Sequence, residues 1–195
     1  MKGHRVVTAA VAVLALAATV GGPPRAAEVP EALVQEARGL AKTFFTRLKG
    51  ELQKAIAEKG PAGAIGVCGE AAPGIGTRVS QESGWAVGRT ALRVRNPRNA
   101  PSPLERAVLI RFREAIRAGA DPKTLEWAAV VEEGGQKYFH YMKAIPTGEI
   151  CLVCHGGNVD PEVRRAILAR YPADAATGFE AGELRGAFTF VKPLD

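Results

Sequence analysis

A five-residue motif near the C-terminal end constrains this chain more than any other feature. It reads Cys151-Leu152-Val153-Cys154-His155, the order of residues that attaches haem covalently in c-type proteins. Two thiols at this spacing reach the two vinyl groups at the porphyrin edge, and the adjacent imidazole reaches the iron from one face. Three Cys and three His among 195 residues would produce this motif by chance in roughly one in a thousand sequences of the same composition. The sequence therefore predicts one covalently bound haem c, with Cys151 and Cys154 as attachment points and His155 as an axial iron ligand.

Other chemistries also use closely spaced cysteines. A disulfide between Cys151 and Cys154 would leave His155 as a surface residue. A thioredoxin-like redox motif needs its cysteines at the start of a helix in a strand-helix-strand unit, which this C-terminal position does not offer. A zinc site would need Cys68 as a fourth ligand, whereas structural zinc sites usually consist of two close ligand pairs. All three interpretations are weaker than haem attachment.

The N-terminal end predicts export. Residues 1–5 carry two positive charges and residues 6–20 form an unbroken apolar run, which is the layout of a secretory signal. This run is shorter than the roughly 20 residues that span a bilayer comfortably. We therefore expect a signal peptide over residues 1–27 and a single periplasmic or otherwise exported haem domain over residues 28–195. Membrane anchoring through residues 6–20 is expected only if the signal stays uncleaved.

Charge argues against a nucleic-acid partner. The chain has 26 basic and 20 acidic residues, and removal of residues 1–27 takes away three basic residues and no acidic one, which leaves a net charge of +3. The basic residues are spread along the chain without a block of like charge or interleaved aromatic residues. We therefore expect no binding to nucleic acid.

Three side chains are candidates for the second axial ligand of the iron. Beyond the signal segment these are His140, Met142 and Cys68. His140 and Met142 alternate along a predicted strand, where a hydrogen-bonded ring and core packing are the ordinary roles of these residue types. Cys68 lies among small residues that let a flat macrocycle approach the backbone. A thiol outside the cytoplasm is prone to oxidation unless it is occupied, so the chemistry favours Cys68 and leaves the other two open.

With these residues identified, the chain resembles a family of exported, single-haem c-type proteins that was long catalogued as a domain of unknown function. The resemblance extends from about Leu48 to Lys192 and rests on five separated motifs. They are Ala64 to Pro73, Gly88 to Thr90, Arg95 to Pro101 followed by Glu105, Cys151 to Gly156, and Tyr171 to Gly186. The resemblance implies a PAS-like α+β fold, which in that family also serves as the sensor part of larger signalling proteins. It further implies that Cys68 is the axial ligand opposite His155.

The hydrophobic pattern predicts the elements of an α+β domain. A long amphipathic helix is expected over residues 30–59, followed by a second helical segment to residue 81 that carries Cys68 and is interrupted at Pro73. Residues 88–101 predict a basic loop, and Ser102 predicts the N-cap of a helix to about residue 118. Gly134 and Gly135 predict a hairpin between strands 127–133 and 136–145. The pattern also predicts a short turn or helix at 151–155, a helix over 161–171 and a strand over 186–192. Together the predicted elements form an antiparallel sheet with surrounding helices.

The basic loop offers partners for the anionic haem propionates. Arginine and asparagine side chains form strong hydrogen bonds with carboxylates, so Arg89, Arg93, Arg95 and Asn96 are candidates. Two axial protein ligands would leave no open iron site for a substrate, so we expect no enzymatic activity. A thiolate ligand favours ferric over ferrous iron, and we predict low-potential electron transfer with an unidentified redox partner protein. The alternative is a haem-based redox or gas sensor that acts through a partner protein.

Overall fold

Four antiparallel strands form one sheet in the computed structural model, which describes residues 29–194 except for the side chains of Val67 and Cys68. The strands run in the order β1-β4-β3-β2, with bounds β1 (Ala86–Thr90), β2 (Glu126–Glu133), β3 (Gln136–Pro146) and β4 (Leu184–Pro193). Gly134 and Gly135 join β2 to β3 with φ of 60° and 80°, the left-handed conformation that a tight hairpin requires. The predicted hairpin is confirmed. The predicted signal peptide, its cleavage and its use as an anchor concern residues 1–27, which lie outside the described residues.

Helices surround this sheet within the described part of the chain. They are α1 (Glu31–Ser83), α2 (Pro103–Arg117), α3 (Glu149–His155) and α4 (Pro161–Arg170), with a 3-10 turn at Pro97–Asn99. Ser102 caps α2 through the predicted capping box, because its hydroxyl accepts from the Glu105 amide while the Glu105 carboxylate accepts from the Ser102 amide. The α+β class, with an antiparallel sheet and a long first helix, is confirmed. The arrangement is consistent with a PAS-like fold.

The first helix changes direction at Gly60, where the sequence predicts a stop. Gly60 has φ 67° and ψ 174° within α1, a conformation that is essentially restricted to glycine. The predicted interruption at Pro73 is wrong, because α1 continues through this residue to Ser83. Ala72, Ile75 and Val79 are buried on either side of Pro73, so tertiary packing compensates for the backbone hydrogen bond that proline cannot make.

The predicted loop over residues 88–101 is partly a strand. Gly88, Arg89 and Thr90 belong to β1, which pairs with β4 from Ala86 opposite Val191 to Thr90 opposite Ala187. This pairing joins segments about a hundred residues apart in sequence. The local pattern of a basic, glycine-containing segment therefore does not indicate a strand. The remainder of the predicted loop carries the 3-10 turn and leads to α2.

The two faces of the sheet are covered by different helices. On one face, Phe44 of α1 packs with aromatic side chains of the sheet such as Tyr141 and Phe188. On the other face, Leu109 of α2 packs with Met142 of β3. Because side chains alternate along a strand, neighbouring residues of β3 enter different cores. Among the described residues, no helix combines the length and the apolar character that crossing a membrane requires.

Candidate cofactor site

The predicted haem-attachment motif forms α3, a short helix that follows the end of β3. Cys151, Cys154 and His155 are separated by three and four positions and therefore lie on one helix face. All three line a cavity of about 1380 Å³ between α1 and the sheet. The two thiols are partly buried and are not joined by a disulfide. Within the described residues, no three acidic, thiol or imidazole side chains converge as a zinc site requires.

The imidazole of His155 is held in one orientation. Its Nδ1 lies 2.6 Å from the Ala176 carbonyl oxygen, and since a carbonyl only accepts, Nδ1 carries the proton. The ring packs edge-on against Phe179, with centroids 6.3 Å apart. Burial holds the pKa of His155 well below its usual 6.5, and the charges of Arg185 and Arg95 lower it further. The ring is therefore neutral, and the lone pair of Nε2 is available to a metal.

Backbone hydrogen bonds fix the C-terminal end of α3 to the segment that follows α4. The Phe179 amide donates to the His155 carbonyl at 2.9 Å, and the Gly178 amide donates to the Gly156 carbonyl at 2.8 Å. Gly156 and Phe179 form an isolated parallel bridge. The motif from Tyr171 to Gly186 that carries the family resemblance thus includes the residues that position His155.

A buried ion pair stabilises the same contact. Arg95 donates to both carboxylate oxygens of Asp174, from Nε at 3.1 Å and from Nη2 at 3.2 Å, and the two side chains are only 11% and 3% exposed. Arg95 Nη2 also donates to the Cys154 carbonyl at 2.6 Å and to the Ala176 carbonyl at 3.4 Å. The Ala176 amide donates to Asp174 Oδ1 at 3.1 Å. Arg95 therefore connects α3 to the segment that orients His155, and the propionate contact expected of it stays a prediction.

Two further residues predicted to contact propionates also line the cavity. Arg89 lies on β1 with its guanidinium 6.0 Å from the centre of the Phe44 ring. Asn96 caps the 3-10 turn by accepting from the Arg98 amide at 3.1 Å. Their contacts with a cofactor remain predictions. Arg93, in contrast, is exposed and directs its guanidinium to the Ala175 and Gly178 carbonyls.

The second half of α1 forms the wall that faces α3. Ala64 and Ala72, four residues before and four residues after Cys68, both line the cavity. Gly69 also lines it, and a Cβ atom at this position would lie 2.5 Å from the Tyr171 hydroxyl, so a larger residue here would require the Tyr171 side chain to shift. The side chain of Cys68, the predicted axial ligand, lies outside the described residues.

The other two candidate ligands lie on the opposite face of the sheet. His140 Nε2 is 2.8 Å from the hydroxyl of Thr189, and its ring packs edge-on against Trp127. Met142 is fully buried in the core beneath α2. Because strand residues 140 and 142 share a face and Tyr141 faces the cavity, neither His140 nor Met142 lines it.

Four residues of the site were missed by the sequence analysis. Asp174, Ala176 and Phe179 hold His155 and its helix, and Arg185 of β4 lines the cavity. All four lie within the motif from Tyr171 to Gly186 that carries the family resemblance, but the resemblance implied no role for any of them. Neither residue type nor spacing distinguishes them, since Ala176 acts through its backbone and Arg185 is one basic residue among many.

Comparisons with known proteins place the chain in a family. The sequence model of the Tll0287-like family matches residues 25–193. The crystal structure of the cyanobacterial haem protein Tll0287 shares the fold with a TM-score of 0.60 and 24% sequence identity, over 85% of this chain and 94% of that one. No curated protein matches the sequence. Because the family model covers nearly all of the described residues, the chain belongs to the Tll0287-like family.

Proposed function

We propose that this protein is an exported c-type cytochrome that binds one haem and transfers electrons at low potential to or from a partner protein. Cys151 and Cys154 would bind the haem covalently, and His155 and Cys68 would be its axial ligands. One observation carries the proposal: a single face of α3 presents both thiols and a neutral imidazole to one cavity.

The cavity suits a tetrapyrrole in size and in chemistry. Its volume of about 1380 Å³ exceeds the roughly 300–1,000 Å³ usual for small-molecule pockets. Apolar side chains of α1 and the sheet line much of it, and the guanidinium groups of Arg89 and Arg185 lie at the same cavity. A porphyrin has this combination of an apolar ring and carboxylate substituents. The structurally similar cyanobacterial protein is itself a haem protein.

Ligation of the iron by two side chains of this protein would support electron transfer. His155 Nε2 is available to the iron, and Ala64 and Ala72, which lie four residues before and after Cys68 in α1, line the same cavity. When bound, the haem would supply an iron that alternates between the ferric and ferrous states. Thiolate ligation favours the ferric state, and two axial ligands leave no open position for a substrate. We therefore propose a carrier and not an enzyme.

Covalent attachment is tested by expressing the chain with the machinery that attaches haem c. In the wild type, haem should remain with the polypeptide after denaturation and acid extraction. Cys151→Ala combined with Cys154→Ala should release it, because no thioether can form. Met142→Leu is a matched control, since Met142 is buried on the other face of the sheet, and it should retain the haem. Complete extraction of haem from the wild type, or none bound, would refute the proposal.

The second ligand is tested by Cys68→Ala. Loss of a thiolate should change the absorption and EPR spectra of the ferric protein and raise its reduction potential. His140→Gln should leave both spectra unchanged, because His140 lies away from the cavity. Spectra that Cys68→Ala does not alter would exclude this residue as the ligand.

Carbon monoxide distinguishes a carrier from a sensor. A carrier that keeps both ligands should bind carbon monoxide slowly or not at all in the ferrous state. Rapid binding, with loss of the spectral features that depend on Cys68, would instead support the haem-based sensor.

A further inference from the structure

Arg185 carries a hydrogen-bond donor that finds no acceptor in the described part of the protein. The residue lies near the start of β4 and lines the cavity. Its Nη1 donates to the Arg93 carbonyl at 3.3 Å, and its guanidinium lies 5.4 Å from the centre of the Phe179 ring. Its Nε is shielded from solvent and is without a hydrogen-bond partner among the described residues. A buried donor of this kind costs about 1–3 kcal/mol when it stays unsatisfied, and more when it is charged.

The charges around Arg185 are also unbalanced. Burial, Arg95 and Arg89 together lower the pKa of Arg185 to about 10, and Asp174 and Cys151 offset this effect only in part. Asp174 is already shared, because both of its carboxylate oxygens accept hydrogen bonds from Arg95. The positive charges of Arg95 and Arg89 thus act on a buried guanidinium, and Asp174, which acts in the opposite direction, is bound by Arg95. A buried guanidinium in this setting is stabilised by an additional anion.

We propose that Arg185 binds a haem propionate through Nε inside the cavity and is the main electrostatic anchor of the haem carboxylates. This inference rests on the proposed function. A propionate at this position would supply both an acceptor for Nε and a negative charge beside the buried guanidinium. Nε and the adjacent terminal nitrogen of a guanidinium can also donate to both oxygens of one carboxylate.

The proposal separates the roles of two arginines at the site. Arg95 donates hydrogen bonds from Nε and Nη2 to Asp174 and from Nη2 to the carbonyls of Cys154 and Ala176, so it positions α3 and His155. Arg185 lines the cavity, and its Nε has no acceptor among the described residues. A cation beside a propionate keeps the carboxylate ionised and stabilises the more electron-rich ferrous haem. Loss of Arg185 should therefore lower the reduction potential and let the propionate titrate near neutral pH.

The test is a redox titration of the purified, haem-loaded protein between pH 5 and 9. Arg185→Gln should lower the potential at neutral pH and make it decrease as the pH rises, because the propionate now loses its proton within this range. Arg93→Gln is the matched control. Arg93 packs against the same Phe179 ring, at 4.1 Å, but lies outside the cavity lining. Its potential and pH profile should equal those of the wild type.

The outcomes are distinct. A pH profile in Arg185→Gln identical to that of the wild type would overturn the role of Arg185 while leaving covalent haem binding intact. Absence of covalent haem from the wild type would instead refute the proposed function. If Arg185→Gln takes up no haem, Arg185→Lys decides: restored uptake shows that the positive charge is required, and failure of both variants shows that Arg185 has only a structural role.

Discussion

Removal of the Asp174 carboxylate should destabilise the protein more than any substitution of a surface charge. In the wild type, Asp174 accepts from Arg95 at 3.1 and 3.2 Å and from the Ala176 amide at 3.1 Å. Its side chain is 3% exposed and that of Arg95 is 11% exposed, so Asp174→Ala leaves a buried guanidinium without its counter-charge. Breaking a buried pair in this way typically costs about 3–5 kcal/mol. We expect about 3 kcal/mol, because Arg95 keeps its bonds to two carbonyl groups.

This loss is large enough to measure in two ways on the haem-loaded protein. For a domain of this size, about 1 kcal/mol corresponds to about 2–4 °C in melting temperature, so Asp174→Ala should melt about 6–12 °C below the wild type. In urea, the midpoint should decrease while the slope of the free energy of unfolding stays the same. Because Asp174 also holds the segment whose carbonyl orients His155, the EPR spectrum of the ferric haem should broaden.

A matched control uses an exposed pair of the same chemistry. Arg47 and Glu82 approach to 3.0 Å, but their side chains are 39% and 54% exposed. Glu82→Ala should therefore cost less than about 1 kcal/mol. An Asp174→Ala protein as stable as Glu82→Ala would refute the reasoning. The double variant Asp174→Leu with Arg95→Met should recover part of the loss, since it removes both buried charges.

Three other predictions concern the fold. Ser102→Ala should cost about 1 kcal/mol of unfolding free energy in urea, because it removes the cap of α2, and Ser102→Asp should restore it. Gly60→Ala should cost about 1–3 kcal/mol, since φ of 67° with ψ of 174° is strained for any other residue; unchanged melting would contradict this origin of the bend. Burial lowers the pKa of His140 below 6.5, so its contribution to stability is complete above that pH and is lost as the pH falls toward the lowered value. Relative to the wild type, His140→Gln should flatten the decrease in melting temperature between pH 7 and pH 5.

Features that depend on neighbouring residues were predictable from the sequence. The capping box at Ser102, the two glycines of the hairpin and the end of the first helical segment at Gly60 each use residues only a few positions apart. The motif from Cys151 to His155 belongs to the same class, because its geometry is that of a single turn of helix. β1 was missed because its partner strand lies about a hundred residues away.

Residue types and spacing alone predict the chemistry at α3, because two thiols and an imidazole stand at the spacing typical of haem attachment. The surroundings of these three side chains depend on how the chain folds. Folding brings Asp174 to Arg95 across 79 residues and the Ala176 carbonyl to His155 across 21. It also placed His140 and Met142 on the far side of the sheet and left the Nε of Arg185 without a partner among the described residues. Hydrogen bonds and charge interactions at this site act over a few ångströms in space, and chain folding, not sequence separation, sets those distances.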